Sequence, residues 1–196
     1  MPISSKIILW FDRRFPHFGL RQILDHALIR KLRAQGAHIG QHCRIYSPLT
    51  STEPYLITMG DWVGIAGGVK LLTHDAVARK LRAHRPLAQS FGRITIGDDC
   101  FIGENAVLLP GTTLGSHCIV AAGAIVRGTF PANSLVAGNP AKVIGRASLL
   151  LKLFDKRAST LDTFGLPEKA RRAKILAHFR NEDAMHSKLT VIKHKI

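Results

Sequence analysis

Leu71-Leu72-Thr73-His74-Asp75 sets a titratable pair at the end of an apolar run. Imidazole is the side chain best suited to take up a proton near neutral pH. A carboxylate directly after it is expected to orient the ring and stabilise its cation. His74 is therefore the candidate general base and Asp75 its candidate partner. A lone histidine is usually structural, but this one stands where a regular stretch of sequence meets an irregular one. Metal chemistry is the rival use of histidine. A three-histidine zinc site needs two rings close together on one turn and a third nearby. His117 has Ala122 five residues on, and His38 and His42 lie far before His74. No metal is expected.

A base needs a rigid mount, and the surrounding sequence repeats with a period of six. Ile96, Ile102, Leu108, Leu114, Val120 and Val126 hold one beat; Met59, Ile65 and Leu71 hold it earlier, and Ile39 and Ile45 earlier still. Shifted by 37 residues, the stretch from Ile57 matches that from Ile94 at Ile57/Ile94, Thr58/Thr95, Gly60/Gly97, Asp61/Asp98, Ile65/Ile102, Leu71/Leu108 and Leu72/Leu109. A period of six fits neither a helix nor an alternating strand. It fits a solenoid in which three hexapeptides make one triangular coil and the aliphatic residues stack inside. Cys43, Cys100 and Cys118 each stand two residues before a beat, in the phase held elsewhere by Val63, Val69, Ala106, Thr112 and Ala124. They read as packing residues, not as disulfide partners or metal ligands.

The repeat stops over residues 75–93, which carry five Lys/Arg and should leave the coil as a loop. Before the coils, Leu20, Ile23, Leu24, Ala27, Leu28 and Leu32 recur at helical spacing, predicting an amphipathic helix that ends near Gly36 and caps the first coil. The tail begins weakly helical, breaks at Gly165-Leu166-Pro167 and restarts at Glu168. Three segments are thus expected: a helical cap over 1–36, the solenoid over 37–146, and a basic, partly helical extension over 147–196. The chain carries a formal charge of +15, of which residues 1–36 hold +5 and residues 148–196 hold +6. Such ends favour an anionic glycan or the anionic inner face of a membrane. No apolar run approaches the roughly 20 residues of a membrane span. The patch from Ile7 to Phe11 is too short for a signal peptide, so a cytoplasmic protein is expected. No groove-reading helix or RNA-binding signature is present, so no nucleic-acid partner is expected.

From Ile94 to Gly145 the chain reads ITIGDDCFIGENAVLLPGTTLGSHCIVAAGAIVRGTFPANSLVAGNPAKVIG. Over about residues 37–146, and most specifically in AGNPAKVI, it resembles the hexapeptide-repeat acyltransferases. The long loop after Thr-His-Asp is most similar to the branch that O-acetylates sugars and surface polysaccharides. The resemblance implies an all-β solenoid, a left-handed parallel β-helix, and a homotrimer with active sites between subunits. It implies acetyl-CoA as co-substrate and a sugar or polysaccharide hydroxyl as acceptor. His74 matches the family's catalytic histidine, and Asp75 the carboxylate that some members set beside it. The backbone N–H of Glu104 matches the oxyanion donor, and Phe101 stands where the family often has Trp. Ala122 matches the contact to the pantetheine arm. Arg127 and Lys142 match positions near the coenzyme's adenine and phosphates, with Arg146 a looser match. The acceptor site falls among Ser47 to Glu53, Trp62 and residues 76–92, where Trp62 would stack on a sugar face. N-acetylation of an amino sugar or small amine uses nearly the same base chemistry and stays open beside O-acetylation. A non-enzymatic scaffold has no need of the Thr-His-Asp or AGNPAKVI phrases.

Overall fold

The computed structural model describes residues 20–46, 51–157, 159–163 and 165–193, with side chains from 26 to 180 within them. The described chain divides into one unit over residues 21–151 and another that holds the residues from Lys152 on.

In the first unit the hexads wind into a three-sided parallel coil. The first face stacks His38–Ile39, Ile57–Met59, Ile94–Ile96, Thr113–Leu114 and Thr129–Phe130. The second stacks Arg44–Ile45, Gly64–Ile65, Phe101–Ile102, Ile119–Val120 and Ser134–Gly138. The third stacks Lys70–Leu71, Val107–Leu108 and Ile125–Val126. These parallel sheets fit the left-handed β-helix expected from the sequence. Ile57 lies opposite Ile94 and Leu71 opposite Leu108, which is the shift of 37 read from the repeat. Leu108 lies opposite Val126, a shift of 18, so the larger shift contains the extruded loop.

The beat residues form the core. Ile45, Ile65, Leu71, Ile102, Leu108, Leu114, Val120 and Val126 are essentially fully buried. Each contributes roughly 1.5–3 kcal/mol of hydrophobic burial. The cysteines are buried among them and also donate. The thiols of Cys43, Cys100 and Cys118 each lie 3.2 Å from a corner carbonyl, of Gly60, Gly115 and Pro131 respectively. Burial pushes the Cys100 thiol up to about 11.

The corner between the first and second faces is held by a ladder of side chains. Asp61 Oδ1 accepts from the Gln41 N–H at 2.6 Å, and Asp98 Oδ1 accepts from the Asp61 N–H at 2.8 Å. His42, Trp62, Asp99, His117 and Asn133 stack at this corner in the left-handed region, with φ between 50 and 61°. Trp62, a bulky residue strained there, stacks on His42 with ring centroids 4.3 Å apart.

Both ends of the coil are closed. The N-terminal helix, α1 (Leu20–Ala34), buries Ile29 and Leu32 on the core. Ala27, expected on the buried stripe, is exposed because the inward face is set by Ile29 instead. Leu20, Ile23 and Leu24 have side chains outside the described residues. The Arg33 guanidinium donates to the carbonyls of Ile39 and Gly40 at 2.6–3.0 Å, satisfying these two groups at the open edge of the first coil. At the other end Ala141–Arg146 turns back and pairs antiparallel with Ser134–Gly138. AGNPAKVI is therefore a hairpin that covers the last coil and not a further hexad. The helix α2 (Ala147–Asp155) starts beneath it, where the Asn133 side chain accepts from the Ser148 N–H at 2.8 Å. The second unit contains α3 (Glu168–Lys193), which begins just past the break at Gly165-Leu166-Pro167. No described helix is long and apolar enough to cross a membrane.

Candidate active site

His74 sits where the chain leaves the third face of the second coil. The pair His74–Asp75 forms a short strand antiparallel to Ser90–Phe91, with His74 opposite Phe91. The N–H of Gly92 donates to the carbonyl of Thr73 at 2.8 Å, closing the neck of the loop. Between the two strands the chain makes a 3-10 turn over Ala76–Leu81. Most of the loop beyond that turn is exposed.

The ring of His74 is held by Glu53. His74 Nδ1 lies 3.1 Å from Glu53 Oε2 and 2.9 Å from Thr52 Oγ1. Thr52 and Thr73 each donate their hydroxyl to the same carboxylate, at 2.6 Å. An ionised carboxylate only accepts, so this pattern assigns the ring proton to Nδ1 and leaves Nε2 with a free lone pair. The Glu53 side chain is only 13% exposed. Burial alone would raise it; the hydrogen bonds from Thr52, Thr73 and His74, with the charge of His74, outweigh that and hold it below its usual range.

Asp75 does not hold the ring. Its Oδ1 accepts from the Val77 N–H at 2.9 Å, capping the 3-10 turn, and its Oδ2 lies 3.6 Å from Arg127. The cause is elementary: neighbours along a strand point to opposite faces, so the residue after His74 faces away from its ring. Glu53 entered the sequence reading only as the end of the acceptor stretch. It reaches His74 from the first coil, which is two residues longer than the third: Ile39 pairs with Met59 at a shift of 20, and Thr95 with Thr113 at a shift of 18. Glu53 precedes the 3-10 turn Pro54–Leu56 with its side chain unused as a cap. The proline after an acidic residue, outside the hexad beat, was the available signal.

A cavity of about 310 Å³ opens beside the ring, lined by Thr52, Glu53, His74, Arg79, Gln89 and Phe91 among others. Of the acceptor stretch, Thr52 and Glu53 reach it; residues 47–50 lie outside the described residues. Trp62 does not, because it stands at the first corner while His74 stands at the third. His42 stacks on Trp62 and His117 Nδ1 lies 3.1 Å from Asp99, both at that first corner. Among the described residues no three His, Cys, Asp or Glu side chains gather as a metal site.

The remaining site residues lie elsewhere on the prism. Phe101 is on the second face, half-exposed, with its ring over Gly64. Glu104 and Ala122 follow at the corner between the second and third faces and are exposed. The backbone N–H groups of Glu104 and Ala122 make no hydrogen bond among the described residues. The corner around them is built from Gly67, Gly103 and Gly123, and a Cβ on Gly103 would fall 2.6 Å from the Ala122 nitrogen. An extended chain with acceptor groups fits such a smooth, donor-bearing edge. Lys142 and Arg146 are exposed on the final strand. Arg127 is engaged by Asp75, at the His74 corner. The expected site residues therefore fall into two groups on successive corners, with the third face between them.

Residues 93–128 match the model of the bacterial transferase hexapeptide, six repeats. Protein CapG of Staphylococcus aureus is 44% identical over 117 residues, covering 58% of this chain and 68% of that protein. Galactoside O-acetyltransferase of Escherichia coli K12 is 39% identical over 108 residues, covering 55% of this chain and 52% of that protein. A solved galactoside acetyltransferase in complex with coenzyme A superposes with a TM-score of 0.52 at 34% identity, covering 57% of this chain and 56% of that one. The chain thus spans about half the length of the galactoside enzymes it matches. With the three-sided hexad coil and the match to most of CapG, these likenesses make the chain a member of the hexapeptide-repeat acyltransferase family.

Proposed function

We propose that the protein is an acetyl-CoA-dependent O-acetyltransferase acting on a hydroxyl of a sugar or a bacterial surface polysaccharide, with His74 as general base. The observation that carries this reading is the His74 ring, fixed through Nδ1 by a carboxylate and open at Nε2 beside a cavity. The likeness to a galactoside acetyltransferase bound to coenzyme A supports the donor and the acceptor class.

In this reading His74 Nε2 takes the proton of the acceptor hydroxyl while Glu53 stabilises the imidazolium that forms. Bound acetyl-CoA supplies the acyl group as an activated thioester. The free N–H of Glu104 faces the oxyanion, a donor worth roughly 2.7–4 kcal/mol in such sites. The imidazolium returns its proton to the departing thiolate, so an ester C–O bond forms as the thioester C–S bond breaks. Glu104 and Ala122 line the pantetheine path, and Lys142 and Arg146 are the cations placed to meet phosphates. The two groups of site residues lie on different corners of one chain, so the complete site is expected between subunits of a homotrimer.

The test is thiol release from acetyl-CoA across a panel of sugars, oligosaccharides and amines, with wild type and His74→Ala side by side. A general base contributes about 10²- to 10⁴-fold. The expected result is release with a sugar acceptor, reduced by that factor in the variant at an unchanged melting temperature and unchanged mass by light scattering. Release that survives the substitution would remove His74 from the reaction.

A further inference from the structure

The cavity beside His74 is lined by one guanidinium that neither of its carboxylates engages. It is lined by three residues with full charges besides the histidine: Glu53, Asp75 and Arg79. Glu53 is spent on Thr52, Thr73 and His74. Asp75 is spent on the Val77 N–H and Arg127. Arg79 has no side-chain hydrogen bond or ion pair among the described residues and is exposed. It is carried on the 3-10 turn that Asp75 caps, so its place relative to His74 is set by the same short segment. The loop around it contains no Asp or Glu from Ala76 to Gly92.

A neutral sugar asks only for hydroxyl partners, which Thr52 and Gln89 can give. A guanidinium in a cavity wall whose two carboxylates are both engaged by other groups is matched instead by a carboxylate or phosphate of the ligand, through paired N–H donors. Solvated arginines are ordinary on loops; Arg79 differs in lining the same cavity as the base. We propose that the acceptor is an anionic sugar whose carboxylate or phosphate is bound by Arg79 while its hydroxyl meets His74. This inference rests on the acetyl-transfer reading above and adds the charge class of the acceptor.

The experiment compares matched acceptors: a methyl galactoside, the corresponding methyl galacturonoside, and galactose 6-phosphate. The full-length protein, Arg79→Ala, Arg79→Lys and Arg82→Ala are assayed for thiol release from acetyl-CoA. Binding of each acceptor without donor is followed in parallel by saturation-transfer NMR. A charge-assisted hydrogen bond predicts a kcat/KM about 10- to 100-fold higher for an anionic acceptor than for its neutral match. Arg79→Ala should abolish that margin through KM, Arg79→Lys should restore part of it, and Arg82→Ala, outside the cavity, should leave it unchanged. Preference for the uronate over the phosphate, or the reverse, would name the anion. Equal kcat/KM for neutral and anionic acceptors, or a loss in Arg79→Ala shared by both, would overturn the inference. Absence of thiol release with every acceptor would overturn the acetyl-transfer reading alone, since Arg79-dependent binding of the anionic sugars is still read by NMR.

Discussion

The corner between the third and first faces is built in two ways in adjacent coils. In the third coil it is closed: Leu109, Pro110, Gly111 and Thr112 turn the chain, and the buried Thr112 hydroxyl donates to the carbonyls of Leu109 and Val126 at 2.7 and 2.9 Å. In the second coil it is open: the chain leaves after Thr73 and returns at Gly92. The closed corner spends its polar groups on itself. The open corner spends Thr73 on Glu53, Glu53 on His74, and leaves Nε2 of His74 unspent. The coil register is the same on both sides, Ile57 opposite Ile94 and Thr95 opposite Thr113. A loop and its polar network have therefore been added at one corner without disturbing the ladder that supports it.

The sharpest way to break this contrast is to swap the two acids at the open corner. Glu53→Gln should lower kcat on the order of 10²-fold, because the ring loses the charge that fixes its tautomer and stabilises its cation. Asp75→Asn should keep the rate within about threefold, since that side chain caps a turn, worth about 1 kcal/mol to local stability and not to the base. Equal losses in thiol release would return Asp75 to the role expected from its adjacency to His74.

The seam where the two corners touch comes next in size. A Cβ on Gly92 would fall 2.5 Å from the Gly111 nitrogen and 2.8 Å from Pro110. Gly92→Ala should cost about 1–3 kcal/mol by overpacking against backbone. Urea denaturation checks this, and a wild-type midpoint would mean that the neck does not rest on the next coil. Its activity should fall with it, because the neck bond from Gly92 to Thr73 also sets the strand that carries His74.

The smallest effect belongs to the core and is a pH effect. The Cys100 thiol, with an ordinary value of 9.0, is raised by burial to about 11. Between these values the folded chain holds a proton that the unfolded chain releases, so stability is complete below pH 9 and falls as pH rises through 11. At pH 10 the loss is about 1 kcal/mol, and Cys100→Ala should remove that slope from the pH profile of the melting temperature. An unchanged slope would assign the alkaline loss to other groups.

The coils were legible because their cause is local and repeated. Ile65, Ile102 and Val120 occupy one phase, and each packs on the same phase one coil away, so spacing alone fixes register. The cysteine phase was legible for the same reason, although the carbonyls of Gly60, Gly115 and Pro131 that receive the thiols were not. Glu53 was hidden because its contact crosses 21 residues and depends on an irregular first coil. Asp75 misled because adjacency in sequence is opposition in a strand. AGNPAKVI marked the family but concealed a reversal of the chain, since the hexad beat has no symbol for an antiparallel return. The division of the site residues between two corners follows from simple counting along the hexads, once the faces are known.

The Arg33 cap has a consequence for how the protein behaves at high concentration. A stack of parallel strands ends in a row of unsatisfied backbone groups, which is the template on which another molecule's strand adds and a fibre grows. Here the guanidinium occupies the carbonyls of Ile39 and Gly40, and the returning strand Ala141–Arg146 occupies the opposite rim along the second face. Growth by end-to-end addition is blocked at both places by groups that a neighbouring copy would first have to displace, so the same coil geometry that serves as an endless spine in a filament is here kept to a finite rod.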